Sequence, residues 1–599
     1  MNFSISFMNF IKIHFTSILF LALLPTASFA QSLATIKPIL SCAQLGTQKF
    51  GNGIDANVNI TSATLLTTQQ GTFCKISATL SPEIGVEVAL PQAKWTQRIL
   101  QVGCGGLCGN INLSLSNASG CIPAMNGEFA VAASNMGHSG SMMDASWAEN
   151  PQKRIDFAYR ANHVTAQFTK ALIKAYYGQQ QKYAYFMGCS DGGREALIEA
   201  QRYPHDFNGI SAGAPAAWFS MQNSFFHGWN VTANLRADGS AILLQRQLPL
   251  IHQAAVEHCS ALSGLQDGIL QNPFACRFSR NWIKQCKPEQ LNKSDCLTSE
   301  ELDVVERLYR GANGQNGQQY VPDGLPIGSE LRWPVPETSR GHSLSEMMAL
   351  PALQYVLFPG GKQALNKVGD FGFNSQNFSK VSELAPLYNA TNTDLKPFRD
   401  NGGKLIVWHG LADDSISPVG TIAYFKGVQK FMGADNVDSF LRLFMLPGVA
   451  HCGNGEGPDQ VDLLTALMQW TEQGIAPQII YAGKTEKSPN MPGMQGLPPI
   501  HNPFDSRPPK NASLQFHGMQ KPSIPVAAPA LKTIYSRPIF RYPYIAEYKG
   551  IGDPNNPGSY RAIIMNDGET LKLNKPISEM VGPDNQKKYT VIGGKLTAQ

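Results

Sequence analysis

Charge is scarce in this chain and evenly spread. Only 16% of the 599 residues are charged, and 49 Lys and Arg against 44 Asp and Glu leave a net charge of +5. Basic residues never gather in blocks of five or six, so the electrostatic footprint of a nucleic-acid partner is missing. The 55 Gly and 39 Pro together make under one sixth of the chain, and 43% of it is apolar. That composition excludes collagen-like and low-complexity architectures and argues against wholesale disorder. No internal repeat occurs. Long hydrophobic runs are also lacking, with one exception at the start. Ile11 to Leu24 is apolar but falls short of the roughly 20 residues that a membrane span needs, and Pro25 and small residues ending Ser28-Phe29-Ala30 follow it. This pattern reads as a secretory leader over 1–30, cut after Ala30, so the mature chain is expected to be exported with no membrane association.

Cysteine is present where export would let disulfides persist. The eleven cysteines are an odd number, which leaves at least one thiol unpaired. Cys259/Cys276 and Cys286/Cys296 each frame a short polar loop, as local staples would.

Short apolar runs alternate with turn residues from Ser62 to Pro91, as in antiparallel strands. Arg98 to Gly103, Phe129 to Ala133, Tyr183 to Met187 and Phe207 to Gly213 read as buried strands. Phe157 to Tyr177 and Gly193 to Tyr203 have helical periodicity. Strand, helix and strand in succession predict a parallel sheet in an α/β fold. Between about 217 and 397 that rhythm disappears, so this stretch reads as an inserted lid. It resumes at Lys404 to His409, Phe440 to Leu446 and a helix from about Pro458 to Gln473. Catalytic segments are therefore expected over 31–216 and 398–485. A Pro- and Gly-rich loop and a C-terminal extension over 486–599 should pack on them.

Gly188-Cys189-Ser190-Asp191-Gly192 matches G-x-S-x-G. The string is weak alone, but here it follows an apolar strand and opens a helix, the placement that lifts a strained serine hydroxyl to the top of a sheet. The Asp191 N–H then points to where an oxyanion would form. A serine needs a base and an orienting carboxylate to become a nucleophile. His451 follows the strand Phe440 to Leu446 and precedes a Gly-rich turn. Asp413 falls in the loop after the strand ending at His409, and adjacent Asp414 is the alternative acid.

These residues resemble the tannase and feruloyl esterase family, which also holds hydrolases of mono(2-hydroxyethyl) terephthalate. The resemblance rests on Gly188 to Glu195, on His409-Gly410-x-x-Asp413, and above all on the paired Cys189-Ser190 and His451-Cys452. It runs from about Cys42 to Ala562, and residues 563–599 extend beyond it. It implies an α/β-hydrolase fold with a large lid and a triad of Ser190, Asp413 and His451, with a Cys189–Cys452 disulfide beside it. Such a bridge would tether the serine elbow to the histidine loop. The resemblance also implies a second oxyanion N–H at Gly106. It implies the pairs Cys42/Cys74, Cys259/Cys276, Cys286/Cys296 and Cys108/Cys121, with Cys104 as the odd thiol. Asn135 stands where the family usually carries Asp.

Family members hold calcium in the lid, but here Ser260 and Ser263 replace two of three carboxylates. Asp267 and the carbonyls of Leu265 and Ile269 remain, a donor set too low in charge for a tightly held Ca²⁺. No cofactor is expected to be required. A C-terminal family disulfide is also missing, with Phe540 and Ala562 where cysteines would stand. The implied substrate is a small aromatic ester, with Trp218, Phe219, Phe225, Trp229 and Trp333 as candidate pocket aromatics. Terephthalate monoesters are the alternative, with Arg332 as the group for their free carboxylate. A catalytically silent binding protein on the same fold is the competing reading.

Overall fold

The computed structural model describes residues 33–485, apart from 116–117, 119, 266, 288, 290–294 and 315–316, together with 533–566 and 577–599. The leader reading over 1–30 and the Pro- and Gly-rich stretch over 486–532 lie outside these residues.

One sheet organises the molecule. Its strands are β1 (Val58–Thr68), β2 (Gly71–Leu80), β3 (Ile84–Pro91), β4 (Arg98–Val102), β5 (Phe129–Ser134), β6 (Tyr183–Cys189), β7 (Gly209–Gly213), β8 (Lys404–Gly410) and β9 (Leu441–Leu446). They lie in the order β1-β2-β3-β5-β4-β6-β7-β8-β9. The first three pair antiparallel, and β5, β4, β6, β7, β8 and β9 run parallel. Strands β5, β7 and β9 are buried at every residue, which explains why they read as unbroken apolar runs rather than alternating ones. The fold is the expected α/β-hydrolase-like one.

Helices cover both faces. The two long ones before β7 are α1 (Ala161–Tyr177) and α2 (Asp191–Arg202). Between β7 and β8 the chain leaves the sheet and builds α3 (Leu248–Cys259), α4 (Ser299–Arg310), α5 (Leu344–Pro351) and α6 (Ser375–Ser382). Back in the sheet region come α7 (Pro418–Met432) and α8 (Leu463–Gln473). Helix α4 opens on a reciprocal cap, Thr298 accepting from the Glu301 N–H while Glu301 reaches back to Thr298. Part of the inserted core is aromatic, with Phe225 against Tyr320, Phe371, Phe373 and Phe378 at centroid distances of 4.8 to 5.5 Å.

After α8, strand β10 (Gln460–Val461, preceding that helix) is joined by β11 (Ile479–Thr485) and β12 (Thr533–Phe540) in a second sheet. The later chain returns to the body at several points, two of which involve tyrosines. The Tyr542 N–H donates to the Leu443 carbonyl on β9 at 2.7 Å, and the Tyr159 hydroxyl lies 3.1 Å from both the amide and the carbonyl of Tyr589.

Five disulfides are formed: Cys42–Cys74, Cys104–Cys108, Cys189–Cys452, Cys259–Cys276 and Cys286–Cys296. The expected Cys108–Cys121 pair is corrected. Cys108 turns back on Cys104 through Gly105-Gly106, where positive φ at Gly106 (61°) and Cys108 (56°) brings the two Cα atoms to 5.9 Å. Cys121 is the free thiol, buried at the start of a short helical turn with its sulfur 3.6 Å from Met468 Sδ. Burial pushes that thiol up to about 12. Asn389, in an N-x-T sequence, is 1% exposed, and its Oδ1 accepts from the Ser220 amide and hydroxyl.

Candidate active site

The turn from β6 to α2 carries Ser190 at φ 66°, ψ −122°, a conformation that costs backbone energy and is held by its surroundings. The Ser190 N–H donates to the Gly213 carbonyl at 3.0 Å, and its own carbonyl accepts from the Gly193, Arg194 and Ala216 amides. Only glycine fits three residues on, because a Cβ on Gly193 would lie 2.1 Å from the Gly213 oxygen. Asp191 begins α2, where a helix leaves its first N–H groups without intrahelical acceptors. Its carboxylate is gripped by Arg194 at 2.6 and 3.0 Å. Arg194 is fully buried, donates to the Phe157 and Ala158 carbonyls, and lies over the Phe157 and Phe219 rings.

Opposite this elbow, the loop after β4 supplies Gly106. Its neighbours' amides are spent within the protein: Cys104 donates to Glu195 Oε1 (3.3 Å), Leu107 to the Met142 carbonyl (2.8 Å) and Cys108 to the Gly105 carbonyl (3.1 Å). Glu195 also accepts from Asn162 at 2.7 Å. Burial, with Asp191 nearby, pushes its carboxyl up to about 8. Asn135 needs only its side-chain oxygen, which accepts from the Gly85 and Gly137 amides at 2.9 and 3.0 Å, a task an Asp carboxylate performs equally well.

The acid and base meet from two further strands. Asp413, in the loop after β8, is fully buried and accepts from His451 Nδ1 at 2.8 Å. The same oxygen lies 3.1 Å from His409 Nε2, and the other accepts from the Ser415 and Ile416 amides at 2.9 Å each. His409 is fixed in turn by Thr421 through Nδ1 at 2.7 Å. Burial opposes ionisation of Asp413, but the charge of His451 and hydrogen bonds from His409 and His451 outweigh it, and its pKa is lowered. For His451, burial alone would favour the neutral ring, yet the Asp413 carboxylate, by charge and hydrogen bond, holds its pKa above the ordinary imidazole value. Asp414 points elsewhere: it forms an ion pair with Arg332 at 3.5 Å, and burial pushes its carboxyl up to about 6. The geometry thus brings Asp413, not Asp414, to His451.

Ser190, Asp191, Gly106 and His451 line one cavity of about 230 Å³. Cys189 and Cys452 line it too, and their disulfide joins segments 263 residues apart. Of the candidate aromatics only Phe219 lines it. Trp218 donates to the Gly420 carbonyl, Trp229 to the Arg307 carbonyl, and Trp333 to Ser329 against Tyr309, while Phe225 sits in the aromatic core. Arg332 is not among the lining residues and is engaged by Asp414. Residues that sequence reasoning did not single out complete the walls: Met142 and Met143 beside the Gly106 loop, and Gln222, Asn223, His227 and Met348 from the lid. Their spacing carries no motif, so no sequence signal marked them.

The reduced calcium loop does not fit a divalent cation. Asp267 Oδ1 accepts from the Ile269 amide at 3.2 Å, and Oδ2 faces Arg537 Nη2 at 3.1 Å. The Arg537 guanidinium lies between the Tyr535 and Tyr560 rings, 4.7 and 5.3 Å from their centroids, and donates to the Pro554 carbonyl. The one remaining carboxylate already faces a buried cation.

Comparison with known proteins agrees with this architecture. Residues 67–563 match the family model described as tannase and feruloyl esterase. An uncharacterized esterase of Xanthomonas campestris pv. campestris is 30% identical over 509 residues, covering 76% of this chain and 86% of its own. A probable feruloyl esterase B-1 of Aspergillus flavus is 30% identical over 431 residues, covering 68% and 77%. The crystal structure of feruloyl esterase B from Aspergillus oryzae superposes with a TM-score of 0.71 at 24% identity, over 87% of this chain and 99% of that one.

Proposed function

Since the chain belongs to the tannase and feruloyl esterase family and is a carboxylic ester hydrolase, we propose that it cleaves aromatic acid esters through a Ser190–His451–Asp413 triad. The observation that carries this reading is the 2.8 Å contact of His451 Nδ1 with buried Asp413 in a loop that shares one cavity with the strained Ser190.

In this mechanism His451 Nε2 takes the Ser190 proton as Oγ attacks the ester carbonyl. The Asp191 and Gly106 N–H groups hold the oxyanion, where donors fixed in advance stabilise charge without reorganising. Asp413 keeps the Nδ1–H tautomer and stabilises the imidazolium. His451 then protonates the departing alcohol, and a water activated the same way releases the acid from the acyl-enzyme. The lid loop is read as holding no tightly bound calcium, which the Asp267–Arg537 pairing supports. Export of the mature chain is supported by the leader-like start and five disulfides, and among the described residues no helix is long and apolar enough to cross a membrane.

The test is the initial hydrolysis rate of methyl gallate, methyl ferulate, chlorogenic acid and mono(2-hydroxyethyl) terephthalate, with Ser190→Ala as blank. Turnover of one or more esters by the wild type and none by the variant is the expected result. Equal inactivity of both on all four esters defeats the aromatic-ester reading.

A further inference from the structure

The proposed acid, Asp413, is held from the lid as well as from the sheet. It follows β8, and its Oδ1 accepts from the Ser415 and Ile416 amides at 2.9 Å each. The Ile416 N–H belongs to the same trans peptide unit as the Ser415 carbonyl. In a planar trans peptide those two groups point in opposite directions, so whatever holds the oxygen also aims the N–H. Here the oxygen is held by the lid: the Ser415 carbonyl accepts from Gln222 Nε2.

Gln222 lies where the chain, having left the sheet after β7, widens into a π turn at Gln222–Phe226, closed by the His227 N–H on the Gln222 carbonyl. Such wide turns re-aim side chains and recur at functional sites. This one brings together two side chains five residues apart: the Gln222 amide group also donates to His227 Nε2 at 3.2 Å. Burial pushes the His227 pKa down to about 3, so its ring is neutral and one nitrogen is free to accept. With Nε2 accepting, Nδ1 carries the proton and donates to the Ser345 hydroxyl of α5 at 3.0 Å. Both N–H bonds of Gln222 are thereby spent on the protein. Its amide cannot turn over, because its oxygen would then face the Ser415 carbonyl.

A second tie runs alongside the first, from Trp218 Nε1 to the Gly420 carbonyl in the first turn of α7 at 3.2 Å. The opening segment of the lid thus grips the acid loop at Ser415 and the helix it leads into at Gly420. The chain of contacts reads Ser345, His227, Gln222, the Ser415–Ile416 peptide, Asp413 and His451, and every member is buried. Hydrogen bonds away from water are electrostatically stronger and polarise one another along such a chain.

We infer that Gln222 is a positioning residue for the chemical step: it fixes the Ser415–Ile416 peptide, whose N–H holds Asp413, and through Asp413 it aims His451. This rests on the triad reading above and adds that the inserted segment contributes to turnover whatever the acyl group.

The test measures kcat and KM for 4-nitrophenyl acetate, whose acyl group is only a methyl, and for methyl ferulate. It uses the wild type, Gln222→Met, Asp413→Ala and the double variant. Gln222→Met keeps the length of the side chain and loses its donors, so kcat should fall about tenfold on both esters with KM within about twofold. In the Asp413→Ala background the same substitution should cost no more than about twofold, because two residues that act through one contact are not additive. Gln222→Asn, an amide one methylene shorter, should match the Met variant and replaces it if that protein does not fold. An unchanged kcat, a loss confined to methyl ferulate or to KM, or a loss that multiplies in full with Asp413→Ala overturns the inference. If the wild type cleaves the acetate alone, the aromatic-ester reading fails and the acetate rates still decide the role of Gln222. An Asp413→Ala variant as active as wild type, or a wild type inactive on both esters, removes the triad reading and this inference with it.

Discussion

The cavity has two walls of different origin. The sheet wall places Ser190, Asp191, Gly106 and His451 after the ends of parallel strands, Ser190 held by backbone hydrogen bonds and His451 by Asp413, which two backbone amides hold in turn. The lid wall places Gln222, Asn223 and His227 on a helix interrupted by a π turn, with Gln222 and His227 bonded to each other and the three tied to Ser415, Phe219 and Ser345. On the proposed mechanism the sheet wall carries the residues that cleave the ester, and the lid wall faces them across the cavity. The proposed chemistry thus rests on the regular part of the fold, and the facing wall comes from the irregular part.

That division can be broken by experiment. Ser190→Ala should reduce kcat by 10⁴-fold or more on every ester alike, because the nucleophile serves all substrates; a substrate-dependent loss would mean that the walls are not separable. Asp413→Asn should cost about 10³- to 10⁴-fold in kcat by favouring the wrong His451 tautomer, while Asp414→Asn should stay within about threefold. A steady-state comparison of the two variants decides the acid. Opening the Cys189–Cys452 bridge with a mild reductant should lower kcat by about tenfold before far-UV circular dichroism changes, since the bridge ties the end of β6 to the histidine loop and joins no two strands.

The pH profile sharpens the same contrast. His451 must be neutral to act as base, and its folded pKa is raised, so kcat/KM should climb with pH through a midpoint above 6.5. Asp413→Asn should move that midpoint down. The stability sign is the opposite one: a raised His451 pKa contributes stability at pH below the unfolded imidazole value, and that contribution is lost as pH rises through the folded one. The depressed Asp413 pKa contributes stability above about pH 4 that is lost as pH falls further. The smallest expected effect is none: EDTA should leave the melting temperature within about 1 °C, because the Asp267 carboxylate already faces Arg537. A drop of several degrees, restored by Ca²⁺, would refute that assignment.

Most of the sheet wall was legible in the sequence because its signals are local. A strand, a G-x-S-x-G turn and a helix lie within twenty residues, and the strand before Asp413 is an unbroken apolar run. The choice between Asp413 and Asp414 needed three dimensions, since both sit in the loop and only one meets a histidine. Cys108 was assigned the wrong partner for a similar reason. The bridge to Cys104 depends on backbone of positive φ in a five-residue turn, which cysteine spacing does not encode. The lid wall was illegible because short, π-interrupted helices blur the periodicity from which burial is read, and a tie such as that from Gln222 to the Ser415 carbonyl exists only in the folded structure. The candidate aromatics show the same limit: Trp218, Phe225 and Trp333 are buried core, Trp229 is half-buried against it, and the polarizable walls are largely methionine.

Arg537 gives the lid loop a property that a bound ion could not. A divalent ion held by a single carboxylate and two carbonyls could be drawn off by any chelator in its surroundings. A guanidinium that belongs to the polypeptide cannot be extracted, diluted away or exchanged. The loop around Asp267 should therefore be as firm in the presence of a chelator as in its absence.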